Sequence, residues 1–233
     1  MTGRKVAAIP KLAELDTTPL HERAYQEIKD ALMSGRFLPG QKLTSRTLAK
    51  ALGISDMPVR SALLRLSAQQ ALMLTPSGIA TVPNMSRERF AELMALRVVL
   101  EGRATEQVAD KASKQQLRAI EKLCHDLTSA ARDEDIARYL MKNKEFKFAI
   151  YNIAPNPALL FLIEVMWLQV GPFLTRYAGQ FDGTLTGILE IDYHEDAVSA
   201  LKARAPSVAR TAIERDIAEG AKFLLENAEF ETD

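Results

Sequence analysis

The 233-residue sequence predicts a mainly α protein in two parts, a winged helix-turn-helix near the N-terminus and an all-α bundle behind it. Between Thr44 and Val82, two short helical patterns flank a glycine turn, and two β-like runs follow around Pro76-Ser77-Gly78. After Pro83 the β-like residues give way to long apolar stripes at three-and-four spacing, separated by cap signals. A hydrophobic content of 47% with 26% charged residues is that of a globular protein, and the length leaves room for two compact domains.

Taken in order, residues 1–17 lack periodicity and are expected to form a flexible tail. Residues 18–84 form the first domain. Thr18-Pro19 offers an N-cap and a proline at the first helical position, and Leu20, Ala24, Ile28 and Ala31 mark the buried stripe of a support helix ending at Gly35. Phe37 to Leu43 turns through Pro39-Gly40. In the next helix Leu48, Ala49 and Leu52 share a face, and Gly53 can close it in a left-handed conformation. Ser55 is the expected N-cap of the second helix, which buries Val59, Ala62, Leu63 and Leu66 and leaves Arg60, Ser61 and Arg65 on the open side. Pro58 lies in the first turn, where a missing N–H is no loss. A helix that presents its N-terminal end and an arginine to solvent has the geometry that enters a major groove. The plainer alternative is a three-helix core with a charged outer face. The joint occurrence of helix, glycine turn, capped helix and wing favours DNA binding over it.

Residues 85–233 are expected to be all helical. Phe90, Leu93, Leu96 or Arg97, Leu100, Ala104 and Val108 trace one long helix from about Ser86 to Asp110, and Ser113 with Gln116 forms a capping box opening another to about Ala131. A third runs from about Asp135 to Asn152. A fourth opens at Asn156-Pro157 and continues through Trp167 towards Arg176. Its stretch LLFLIEVMWLQV is nearly all apolar, so it is either central in the bundle or partly buried against a second subunit. Glycines at 179, 183 and 187 loosen the next connection, and helices around Tyr193 to Arg204 and Pro206 to Glu226 complete the domain.

Charge separates the two parts. Residues 1–85 carry 11 Lys and Arg against 6 Asp and Glu, a net +5, while the remainder carries 19 against 24, a net −5, which suits a basic domain for a polyanion. The single Cys124 can make no internal disulfide. No run of 18 apolar residues and no signal-peptide pattern is present, so a cytoplasmic location without membrane association is expected.

The motifs Pro39-Gly40-Gln41-Lys42-Leu43, LAKALGIS and PVRSALLRL, spread over about Thr18 to Pro83, resemble the N-terminal domain of GntR-type bacterial transcription regulators. The resemblance implies double-stranded operator DNA as partner. It implies contacts from Thr44, Ser45 and Arg46, from Ser55, Asp56, Met57, Pro58 and Arg60, and from the wing residues Ser77 and Gly78. Asp56 and Met57 stand where the family commonly has Arg-Thr, which puts an anion where a cation is usual and implies an unusual operator. Gln70 replaces a usual glycine, and Gly78 comes one position earlier than in most members.

ALRVVLEGRA, NKEFKFAIYNIAPNPAL and YHEDAVSAL, in that order between about Ser86 and Ala228, resemble the FCD effector domain of the FadR branch. Many such domains hold a divalent metal through a D-x-x-F-H pattern and two later histidines. At the matching places this chain has Asn143, Lys147, His194 and Asp216. A protonated lysine has no lone pair to give and repels a cation, so no metal or other cofactor is expected. A weak oxygen and nitrogen site from Asn143, His194 and Asp216, with Lys147 turned away, is the less favoured alternative. Lys147 paired with Asp216 either presents positive charge to a small organic acid or forms a structural ion pair. Arg97 and Arg176, on helices that face the pocket in related domains, suit a carboxylate or phosphate, although Glu101 four residues on can pair with Arg97.

The combined reading is a homodimeric repressor of the FadR branch, released from a pseudo-palindromic operator by a small anionic metabolite. A metal-dependent enzyme built on the helical domain is the rival. No nucleophile–base pair, glycine-rich phosphate loop or HExxH run supports it. A DNA-packaging protein would be more basic and would leave the second domain without a task.

Overall fold

The computed structural model describes residues 19–180 and 193–231. The tail, Thr18, Gly183 and Gly187 lie outside them. The first domain is built from α1 (Leu20–Met33), β1 (Lys42–Thr44), α2 (Ser45–Leu52), α3 (Asp56–Ala68), β2 (Met73–Leu74) and β3 (Ile79–Thr81). The apolar stripes meet in one core, where Ala24, Ile28, Leu32, Leu48, Val59, Leu63 and Leu66 are buried. Leu20, expected in that stripe, is instead 47% exposed, and Pro19 occupies the N-cap place rather than the first helical position. Ala24, Ile28 and Ala31 are buried as expected, and the stripe is wider than the sequence suggested because Tyr25 and Lys29 are also covered, by the end of α3 and by the second domain.

Thr44 caps α2 reciprocally with Thr47, and Gly53 closes it at φ +66°. The wing has three strands, not two, in the order β1-β3-β2, all antiparallel. β1 is only three residues long and was hidden in the Pro39-Gly40 connection, since so short a strand has no alternation to read. Thr75 and Ile79 close a three-residue hairpin loop with Gly78 at φ +80°, the arrangement of a type I turn followed by a left-handed residue.

The second domain contains α4 (Arg87–Ala109), α5 (Lys114–Arg132), α6 (Ile136–Tyr151), α7 (Pro157–Gln180), α8 (His194–Lys202) and α9 (Pro206–Asn227). The expected capping box of Ser113 and Gln116 and the expected cap at Asn156, which accepts from Leu159 N, are in place, and Ser86 and Asp135 also cap their helices by accepting from Arg89 N and Arg138 N. Each satisfies a donor that the first helical turn leaves unpaired. On α4 the buried face passes through Arg97 rather than Leu96, which is 49% exposed. α9 lies along α4, α5 along α6, and α8 against α9.

α7 joins the two domains. From Pro157 to Tyr177 it is long and apolar enough to span a membrane by length and composition, with a mean hydropathy of 1.7, but half of that stretch is buried against protein. Ile163, Trp167, Leu168, Val170 and Phe173 enter the core, while Phe161 and Leu162 remain exposed. Glu164 accepts from Lys29 at 2.8 Å, Gln169 donates to the Gln69 carbonyl and accepts from Arg89, and Arg89 also bonds Gln70. Gln70, at φ +58°, holds a left-handed conformation that favours glycine.

A Cβ added at Gly171 would lie 2.6 Å from the Leu32 carbonyl oxygen, and one at Gly35 1.6 Å from Thr175 Oγ1, so backbone meets backbone at the seam between α1 and α7. Gly171→Ala would ordinarily favour a helix by up to about 1 kcal/mol. Here overpacking against a rigid carbonyl, at a cost of about 1–3 kcal/mol, is expected to outweigh that gain, and a thermal melt showing stabilisation would refute the close approach.

Candidate functional site

Three backbone features converge on one face of the first domain. Thr44 pairs with Ile79, which places the wing tip at Ser77 and Gly78 beside the start of α2. Ser45, at the first position of α2, is buried and sits against Asp56 at the first position of α3. Around this junction Arg46, Ser55 and Arg60 are exposed, Met57 is 77% exposed, and Pro58 completes the first turn of α3. Ser55 occupies the N-cap position with extended backbone, but its side chain makes no cap bond. Asp56 takes a different partner: its Oδ2 accepts from Arg60 Nε at 2.5 Å. The Ser45 hydroxyl, then Arg60 and more weakly Arg46, hold the Asp56 carboxyl below the usual carboxylate range. Arg65 faces outward as expected but is taken up by Glu22 at 2.7 Å and by the Tyr25 ring 3.6 Å away, where it ties α3 to α1.

The helical domain holds two buried polar clusters. In the first, Lys147 Nζ donates to Asp216 Oδ2 at 2.5 Å, His194 Nε2 lies 3.4 Å from Asp216 Oδ1, and the Tyr193 N–H points at the same oxygen. Lys147 and His194 are each 1% exposed. Burial pushes the Asp216 carboxyl up, but His194 and Lys147 together outweigh it and leave it below its ordinary value. In the second, Glu101 accepts from Arg97 Nε at 2.6 Å, from the Tyr151 hydroxyl at 2.5 Å and from Trp167 Nε1 at 3.0 Å, with the Arg97 guanidinium over the Trp167 ring. Burial and then the Glu101 charge push the Tyr151 hydroxyl well above the usual tyrosine range, so it remains a donor. Lys147 and Tyr151 are one turn apart on α6, which sets the clusters side by side.

The six effector candidates are therefore divided. Lys147, His194 and Asp216 come together, and Arg97 belongs to the Glu101 cluster. Asn143, one turn before Lys147, lines a small cleft with Leu140, Trp167, Gly171 and Leu174, where its Oδ1 has no hydrogen-bond partner among the described residues. Arg176 is bound to Glu231 near the end of the chain.

With this geometry in place, comparison with known proteins is decisive. Residues 20–81 match the family of bacterial regulatory proteins called gntR, and residues 92–219 match the FCD domain. The chain is 31% identical over 166 residues to the HTH-type transcriptional regulator McbR of Escherichia coli K12, covering 71% of this chain and 75% of that one. It belongs to the GntR family of transcriptional regulators and carries an FCD effector domain. The solved structure of E. coli McbR/YncC superposes with a TM-score of 0.83 at 27% identity over 91% of this chain and all of the other. A regulator of Bacillus subtilis 168, YdhC, is 26% identical over 63% of this chain and 66% of its own length. A putative GntR regulator from Rhodococcus sp. RHA1 shares the fold at a TM-score of 0.69 and 17% identity.

The regulator does not fit the divalent metal that its resemblance to FCD domains implies. Lys147 presents an ammonium where a ligand would be, and Asp216 is already spent on it. Among the described residues no three His, Cys, Asp or Glu side chains converge. Sequence reasoning missed the partnership of Tyr151 and Trp167 with Glu101. The spacing of Arg97 and Glu101 was legible, but nothing local signals donors that arrive from two other helices.

Proposed function

We propose that this regulator, acting as a cytoplasmic homodimer, binds a pseudo-palindromic operator and represses transcription until a small organic anion occupies its helical domain. Residues 18–84 are the reader and residues 85–233 the effector-binding and dimerisation part. The observation that carries the DNA reading is the convergence of the α2 start, the α3 start and the wing tip on one exposed face, with Thr44, Ser45, Arg46, Ser55, Asp56, Met57, Pro58, Arg60, Ser77 and Gly78 around it. Helix N-termini and arginines there offer donors to phosphate and base edges. Exposed Leu96 and Val99 on α4, with Phe161 and Leu162 on α7, supply apolar surface for a second copy.

In the helical domain the anion would compete with Asp216 for Lys147, with His194 beside it and with Asn143 one turn away on α6. Arg97 and Arg176 would reach it only by leaving Glu101 and Glu231. The test uses duplexes from the upstream regions of the adjacent genes, read by fluorescence anisotropy. Arg60→Ala is expected to weaken binding by about 1–3 kcal/mol, and Arg46→Ala to reduce the salt dependence by about one charge. Undiminished binding by both variants would remove the assignment of this face, and a chelator that abolishes release by a carboxylic acid would remove the metal-free effector site.

A further inference from the structure

The Asp56–Arg60 pair has consequences for which bases are read. Side chains on a helix lean towards its N-terminus, so Arg60 reaches back one turn and lays its Nε on Asp56 Oδ2. That bond uses the guanidinium's Nε. Nη1 and Nη2 make no hydrogen bond to protein among the described residues, and the Arg60 side chain is 59% exposed at the reading face. The other carboxylate oxygen, Oδ1, is buried without a hydrogen-bond partner among the described residues, beside the start of α2 where Ser45 helps to keep the carboxyl ionised. Arg60 is therefore held through Nε while both Nη donors of an exposed side chain stay available, and part of its freedom is lost before any DNA arrives.

The pair is also neutral overall, so it adds little net attraction to phosphate. A two-donor guanidinium edge matches the O6 and N7 acceptors that guanine alone presents together in the major groove. We propose that Asp56 is a positioning residue that sets Arg60 to read one guanine in each operator half-site. Asp56 exchanges general affinity for discrimination. This rests on the DNA reading proposed above, and the experiment separates the two.

The probe is a randomised duplex pool, from which bound sequences are selected with the full chain and with Arg60→Ala, Asp56→Ala and Asp56→Glu. Asp56→Glu keeps a negative charge at the α3 N-terminus, which favours the helix, but moves the acceptor away from Arg60 Nε. The wild type is expected to enrich one guanine per half-site, and 7-deazaguanine at that place, which lacks the N7 acceptor, should weaken it roughly tenfold. All three variants should lose most of that preference and of the 7-deazaguanine sensitivity. Asp56→Ala should at the same time bind mixed-sequence DNA more tightly, with a salt slope steeper by about one charge. A merely structural role would lower both kinds of binding together. Retained guanine preference in Asp56→Ala and Asp56→Glu overturns the inference alone, as does selection of a site with no guanine that depends on Arg60. Failure of the wild type to enrich any sequence overturns the operator reading along with it.

Discussion

Glu101→Ala is expected to destabilise the helical domain by about 3–5 kcal/mol, because it leaves the Arg97 guanidinium buried without a counter-charge and orphans the Tyr151 and Trp167 donors. Glu101 is wholly buried and Arg97 is 3% exposed, so neither solvent nor salt can replace the lost partner. The paired replacement Arg97→Met with Glu101→Leu should recover only part of the loss, since it removes the stranded charge but leaves the buried Tyr151 and Trp167 donors without an acceptor. Equilibrium denaturation of the three proteins decides it. A single variant within about 1 kcal/mol of the wild type would mean that water reaches the cluster.

Lys147→Met should raise the pH at which the helical domain begins to unfold. In the fold the Asp216 carboxyl is held below its ordinary value of 3.8, so the unfolded chain binds protons more readily. The stability contributed by this group is present above that value and is lost as pH falls through the lowered one. Without the ammonium, His194 and the Tyr193 N–H are left to oppose desolvation, so the folded carboxyl moves up and the loss sets in at higher pH. At neutral pH the cost should be about 3 kcal/mol, while the reader domain keeps its own core and its DNA affinity. Release by an organic acid should disappear. Superimposable melting profiles of variant and wild type between pH 3 and 7 would show that Lys147 does not govern Asp216.

Much of the reader was legible because its signals are local. Thr44, Gly53, Pro58 and the Pro76-Ser77-Gly78 turn act through their own backbone or that of residues three or four away, and the buried faces of α2 and α3 follow from helical period alone. β1 was not legible, since its three residues gain a strand's identity only from pairing with β3. In the helical domain the caps of α5 and α7 were readable for the same local reason.

The polar residues divided differently. That Arg97 can meet Glu101 was a matter of spacing on one helix, but its burial under Trp167 and Tyr151 was decided by the packing of α4 against α6 and α7. The pairing of Lys147 with Asp216, which joins residues 69 positions apart, was foreseen only through the resemblance to FCD domains, and the attachment of Arg176 to Glu231, which spans 55, was not foreseen. The sequence alone determined the helices, the caps of α5 and α7 and the family, because those depend on neighbours along the chain. Tertiary structure decided which carboxylate each buried cation faces, because in a low-dielectric interior a charge is placed by whatever opposite charge the packing brings within a few ångströms.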